Sequence, residues 1–171
     1  QWSRGLGDVY KRQDEHIALN QWRGDHRILP GGAYAFFYSA DESLVARTRD
    51  ALAAASGLTV IAPQNFEALL NFPQRGSRIP NLVAVADAPR YIGFKRGKGR
   101  KPPRGAHGYL PQNTPTMMGV FYASGPRIPA QTRLDVMENV HIYPLVLDLL
   151  NIENESAIDG DASVLVPHLS D

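Results

Sequence analysis

Apolar residues change their spacing several times along this chain, and each change predicts an element. AYAFFYS, from Ala33 to Ser39, is a continuous aromatic and apolar run of strand length. Asp41 then stands where it can cap a helix in which Leu44, Val45, Thr48, Ala51, Leu52 and Ala55 share one face, with Gly57 as its stop. LTVIAP reads as a short β-branched strand ended at Pro63, and QNFEALLNF as a short helix. NLVAVADA, from Asn81, is a fully apolar strand that leaves Asp87 at its carboxyl end. MMGVFYAS, from Met117, predicts one more buried strand. In NVHIYPLVLDLLNI a helical face collects Ile142, Leu145, Val146, Leu149 and Leu150, and Pro144 is compatible with it only in the first turn. Strands alternating with helices predict an α/β layered architecture, with helices packed on a mostly buried sheet.

Composition narrows this reading. The chain has 171 residues, 43% of them hydrophobic and 20% charged, which is enough for one domain with a sizeable core. No run approaches the roughly 18 apolar residues that a bilayer crossing needs. There is no cysteine, so disulfides and thiolate metal sites are excluded, and a transition metal would have to be held by histidine, aspartate or glutamate. Residues 1–13, QWSRGLGDVYKRQ, have no periodicity and read as a non-native or disordered leader, leaving 14–171 for the fold. The tail from Glu153 ends in ASVLVPHLSD and reads as a carboxyl terminus packed on the domain.

Charge adds a local feature that the net value of +1 conceals. Between Asp87 and Asp135 there is no acidic residue, while Arg90, Lys95, Arg96, Lys98, Arg100, Lys101, Arg104, Arg127 and Arg133 all fall inside the interval. Residues 89–106 form a Gly/Pro-broken basic loop, a field suited to phosphates or other anions. Aromatics do not alternate with its cations, so no specific nucleic-acid partner is predicted. A non-catalytic module that binds anions through this loop is one function such a chain could have.

Three motifs in order carry a further reading. RGAHGYL places His107 between small residues just after the basic loop; MMGVFYASGP follows; and NVHIYPLVLDLLNI comes after a short link that contains an acid. This order resembles the carboxyl-terminal part of the catalytic domain of ectonucleotide pyrophosphatase/phosphodiesterases, a family of the alkaline phosphatase superfamily. The likeness covers roughly residues 14–153, with NLVAVADA matching the apolar strand before the loop. The resemblance implies a carboxyl-terminal fragment of an alkaline-phosphatase-like layered domain, from an enzyme that hydrolyses phosphodiester or pyrophosphate bonds. It implies a nucleotide or phosphodiester substrate, a periplasmic, secreted or extracellular setting, and two zinc ions that stabilise the attacking and leaving oxygens. His107 then takes the role of the one zinc ligand present here. A phosphomonoesterase or sulfatase-like hydrolase of the same superfamily is the neighbouring alternative.

The chain departs from the family pattern in two respects. Leu110 stands where the aspartate of His-Gly-Tyr-Asp usually sits. The nucleophilic threonine, the first aspartate, the Asp-X-X-X-His pair and Ser-Asp-His-Gly-Met have no counterparts, so no catalytic residue is assigned and the chain alone is expected to be inactive. Asp25-His26 lacks the serine before and the Gly-Met after that would make it the missing motif. His16, His141 and His168 read as ordinary surface or core histidines, Asp87 as a turn residue at a strand end, and Tyr109 as a core aromatic.

Overall fold

A computed structural model of the chain describes residues 9–10, 16–22, 24, 26–73, 76–94 and 105–170. The centre of the basic loop, 95–104, lies outside these residues, as do Asp25 and most of the expected leader. The chain divides into two compact units, Gln1–Val120 and Phe121–Asp171. No described helix is long and apolar enough to cross a membrane.

The first unit is mixed α/β. In chain order it contains β1 (Val9–Tyr10), β2 (His16–Ala18), β3 (Arg27–Pro30), β4 (Tyr34–Tyr38) and helix α1 (Glu42–Ala53). Then come β5 (Leu58–Ile61), the short α2 (Phe66–Leu70), β6 (Leu82–Ala86), β7 (Tyr91–Gly93) and β8 (Gly105–Ala106). β3, β4, β6 and β5 form a four-stranded antiparallel sheet in that order, while β2 pairs with β7 in parallel and β1 with β8 antiparallel. Val9 and Tyr10 of the expected leader therefore pair with Ala106 and Gly105.

The sheet separates two apolar clusters because side chains alternate across a strand. Leu82, Ala84 and Ala86 of β6 enter one cluster together with Ala35, Phe37 and Leu52, and Val83 and Val85 enter the other with Ile61, Phe66 and Leu110. All five β6 residues are buried. β4 follows the same period: Phe37 opposes Leu82 on the first face and Tyr34 opposes Val85 on the second.

Helix α1 begins as its sequence predicts. The Asp41 carboxylate accepts from the Ser43 and Leu44 backbone N–H groups at 2.9 and 3.1 Å, satisfying donors that a helix start leaves open. Thr48 and Leu52 are buried and Ala51 is exposed, so the buried stripe is narrower than the predicted face. The helix caps at Ala54, before Gly57.

The second unit carries α3 (Ile142–Leu149), entered through a 3-10 turn with Pro144 in the first turn, where its missing N–H costs nothing. Its sequence-predicted face is only partly covered: Leu145 is buried, whereas Val146 and Leu150 are exposed, because the described residues of this small unit pack on one flank of the helix. Arg127 binds the unit together. Its Nη1 donates to the Asp148 carbonyl at 3.2 Å and makes a charge contact with the Asp148 carboxylate at 3.1 Å, and Ser170 N–H donates to the Arg127 carbonyl at 3.0 Å. In the tail, the Asp161 N–H donates to His141 Nδ1 at 3.0 Å, which makes that nitrogen the acceptor of the ring.

The strand expected over MMGVFYAS does not form. No described strand pairs with it, and Val120 and Tyr122 are 56% and 90% exposed. An apolar run becomes a strand only where a neighbour completes its hydrogen bonds, and none of the described strands runs beside this one.

Two outcomes follow from this packing. Phe37→Ala, which empties a fully buried site, is expected to lower stability by about 3–5 kcal/mol in urea unfolding, with a smaller loss for the exposed Leu29→Ala. The Asp41 carboxyl is held below its ordinary 3.8 by the Ser43 hydroxyl and the Leu44 and Ser43 amides. A group whose folded pKa is depressed stabilises above its unfolded value and loses that contribution as pH falls through the folded one. Melting temperatures taken from pH 7 down to about pH 2 should thus contain an acid-sensitive component that Asp41→Asn removes.

Candidate functional site

The residues singled out by sequence around His107 meet at one end of the four-stranded sheet. Asp87 follows β6 directly and is exposed; its N–H donates to the Gly57 carbonyl and its carbonyl accepts from Arg90 N–H, both at 2.9 Å. The chain thereby turns at the carboxyl end of the buried β6, whose neighbours β4 and β5 are antiparallel to it. Arg90 lies against Gly57 through its side chain and receives the Tyr109 hydroxyl on its carbonyl at 2.7 Å. Tyr109 is thus both a buried core aromatic and a hydrogen-bonded tie between the two turns.

His107 leaves β8 into this tie and is exposed. Its neighbour Gly108 has φ +86°, a left-handed conformation that side chains disfavour, and a Cβ there would come within 2.6 Å of Tyr34 Cδ1. The turn is therefore seated on the ring of Tyr34, whose backbone partner Val85 lies two residues before Asp87. That placement puts His107, Asp87 and Arg90 around the same sheet end.

Leu110 is 8% exposed and belongs to the cluster of Ile61, Phe66, Val83 and Val85. Apolar surroundings explain the residue: a carboxylate there would be desolvated with no polar partner among these neighbours. At this position packing takes the place of the family's usual aspartate.

The remaining histidines are accounted for locally. His26 is buried, with Nε2 2.6 Å from the Thr48 hydroxyl and its ring edge-on to Phe37 at 5.8 Å. It ties the entry to β3 to helix α1, a role that sequence reasoning missed because Thr48 is 22 residues away and neither residue lies in a recognisable motif. His16 stacks on Tyr91 at 4.6 Å, and its Nε2 lies 3.0 Å from the Gly93 carbonyl. His141 accepts from Asp161 in the second unit, and His168 lies in a 3-10 turn of the tail.

A zinc centre needs several convergent donors, commonly four. Among the described residues no group of three or more histidine, cysteine, aspartate or glutamate side chains could hold a metal ion. The described residues therefore do not by themselves fit zinc; His107 supplies one imidazole and no more.

The class defined by this arrangement is a mixed α/β layered domain with a histidine turn at the carboxyl end of its central strand. No protein-family model and no curated protein matches the chain. Among solved structures, human ectonucleotide pyrophosphatase/phosphodiesterase 5 is similar over 96% of this chain, with 25% identity and a TM-score of 0.75. The murine protein of the same name gives 24% identity and a TM-score of 0.77, and an inactive form of it in complex with AMP gives 24% and 0.76. The chain spans 43% of the length of each of these structures. The motif resemblance to the ectonucleotide pyrophosphatase/phosphodiesterase family is thus also a resemblance of fold over nearly the whole chain.

Leu110 generates a test. Leu110→Ala is expected to cost about 2–5 kcal/mol, as for other buried leucines. Leu110→Asp should cost more than Leu110→Asn at pH 7, since burial disfavours the charged form and raises the carboxyl pKa. That excess is full above the raised folded value, shrinks as pH falls from it to the ordinary unfolded value and is gone below the latter, so the two unfolding midpoints should converge in acid.

Proposed function

We propose that this chain is the carboxyl-terminal part of a phosphodiesterase or nucleotide pyrophosphatase catalytic domain, and that His107 is its contribution to the catalytic centre. The observation that carries this reading is the His107 turn at the carboxyl end of β6, in a chain whose fold follows an ectonucleotide pyrophosphatase/phosphodiesterase over 96% of its residues. The reaction class is hydrolysis of a phosphodiester or pyrophosphate bond. A nucleotide substrate is supported by the AMP complex of the murine relative. The relatives' designation as ectonucleotide enzymes favours an extracellular, secreted or periplasmic setting.

In this reading the complete enzyme holds two zinc ions, and His107 is a donor to one of them, with the other ligands and the nucleophile in sequence outside this chain. The described residues contribute position. What they do is hold one exposed imidazole at a fixed place, on a turn anchored by the Tyr109–Arg90 hydrogen bond and by the buried Leu110. Fixing a donor in this way is how a scaffold contributes positioning to catalysis.

Activity follows from which parts are present. The 171-residue chain is expected not to hydrolyse a nitrophenyl phosphodiester with zinc added, because the nucleophile is missing. Zinc-dependent turnover by this chain, abolished by a chelator, would overturn the assignment. Saturable nucleotide binding lost on neutralising the basic loop, with no hydrolysis by a longer form of the protein either, would support the anion-binding module in its place. In a longer form that includes a threonine nucleophile, His107→Ala should lower the rate at least as much as the roughly 10 to 100-fold seen when ligand-supporting groups are disturbed.

A further inference from the structure

We infer that Tyr34 is the positioning residue of the His107 turn: its ring is the surface on which the backbone carrying the imidazole is seated. This deepens the proposed function and rests on it for its catalytic meaning, although the contact itself stands on geometry alone.

Two glycine backbones close on this one ring. A Cβ at Gly108 would lie 2.6 Å from Tyr34 Cδ1 and 2.7 Å from Cε1, and a Cβ at Gly31 would lie 2.6 Å from Cε1. Both separations are inside van der Waals contact, so neither position accepts a side chain while the ring stays where it is. Gly31 is on the chain that turns from β3 to β4, and its N–H donates to the Tyr34 carbonyl at 2.7 Å. Gly108 immediately follows His107 and lies 74 residues after Tyr34 in the chain.

The ring cannot easily yield. Phe36 lies against it with centroids 5.0 Å apart, and Tyr34 is pinned by its strand pairing with Val85 in the central strand. From Ala106 to Leu110 the chain has three anchors: Ala106 and Tyr109 in one apolar cluster and Leu110 in the other. His107 and Gly108 are the two residues between those anchors, and the Tyr34 ring lies against Gly108. The aromatic plane acts here, since it is ring carbons that a Cβ at either glycine would meet.

The test uses the full chain labelled with 13C only in its five histidines, whose imidazole signals are assigned by single substitutions. Tyr34→Ala should shift the His107 signal towards that of free histidine and leave those of His141 and His168 in place. Tyr34→Phe, which keeps the plane, should restore the original position. A loss of stability alone would not produce this pattern, because the folded population would keep the original His107 signal. If Tyr34→Ala does not fold, Tyr34→Leu decides, since it keeps apolar bulk without the plane. An unchanged His107 signal in a folded Tyr34→Ala or Tyr34→Leu chain overturns the inference.

A second arm separates this inference from the reading of function. In a longer, active form of the protein, Tyr34→Ala should lower kcat by about 10 to 100-fold with little change in KM, and Tyr34→Phe should recover it. Absence of hydrolysis in every form would remove the proposed function while the histidine spectra still decided the role of Tyr34. An active enzyme whose kcat is indifferent to Tyr34→Ala would overturn the catalytic meaning of the contact.

Discussion

The first unit depends on one constraint, that the five residues of β6 have no solvent face. Leu82, Ala84 and Ala86 need cover on one side, and Val83 and Val85 need it on the other. Helix α1 meets the first demand through Leu52 and Val45, and α2 meets the second through Phe66. A strand buried on both faces also has its whole backbone removed from water, so its polar groups must be paired on both edges, and β4 and β5 provide that pairing. Layering, helix placement and strand order are three consequences of one apolar run.

The same constraint explains where chemistry can sit. A strand buried along its length releases its chain only at its ends, and at the carboxyl end of β6 the first exposed residue is Asp87. Turns gather there because they cannot enter the layers. The His107 turn straddles the sheet end, with Tyr109 on the side of the first cluster and Leu110 on the side of the second. His107 is exposed while Ala106, Tyr109 and Leu110 around it are buried, a division of labour between residues that fix a backbone and a residue that is offered to the outside.

Much of this was legible in the sequence where the signal was local. The β4 and β6 runs, the Asp41 cap and the position of Pro144 follow from periodicity and backbone chemistry within a few residues, and the structure has each of them. MMGVFYAS was not legible, because hydrophobicity records a wish for burial and says nothing of a hydrogen-bonding neighbour. The breadth of the α3 face misled for a related reason: helical spacing names the residues that could be covered, not the amount of chain available to cover them. At the candidate site, the motif singled out His107, but the seat beneath it joins Gly31, Tyr34 and Gly108, and nothing in the spacing of an aromatic and two glycines announces that they touch. Leu110 read as a lapse from a pattern until its apolar neighbours showed it to be a packing residue.

Arg127 has a consequence of another kind. In the second unit few large side chains are buried, Leu145 and Leu165 among them, and the guanidinium group joins the end of α3 to the last residues described. Cohesion that depends on polar ties is weaker and more exposed to solvent competition than cohesion that depends on an apolar interior. A segment held in this way is expected to open locally, so its amides should exchange with solvent before those of β6. The chain thus joins a part held mainly by an apolar interior to a part in which polar ties carry more of the cohesion.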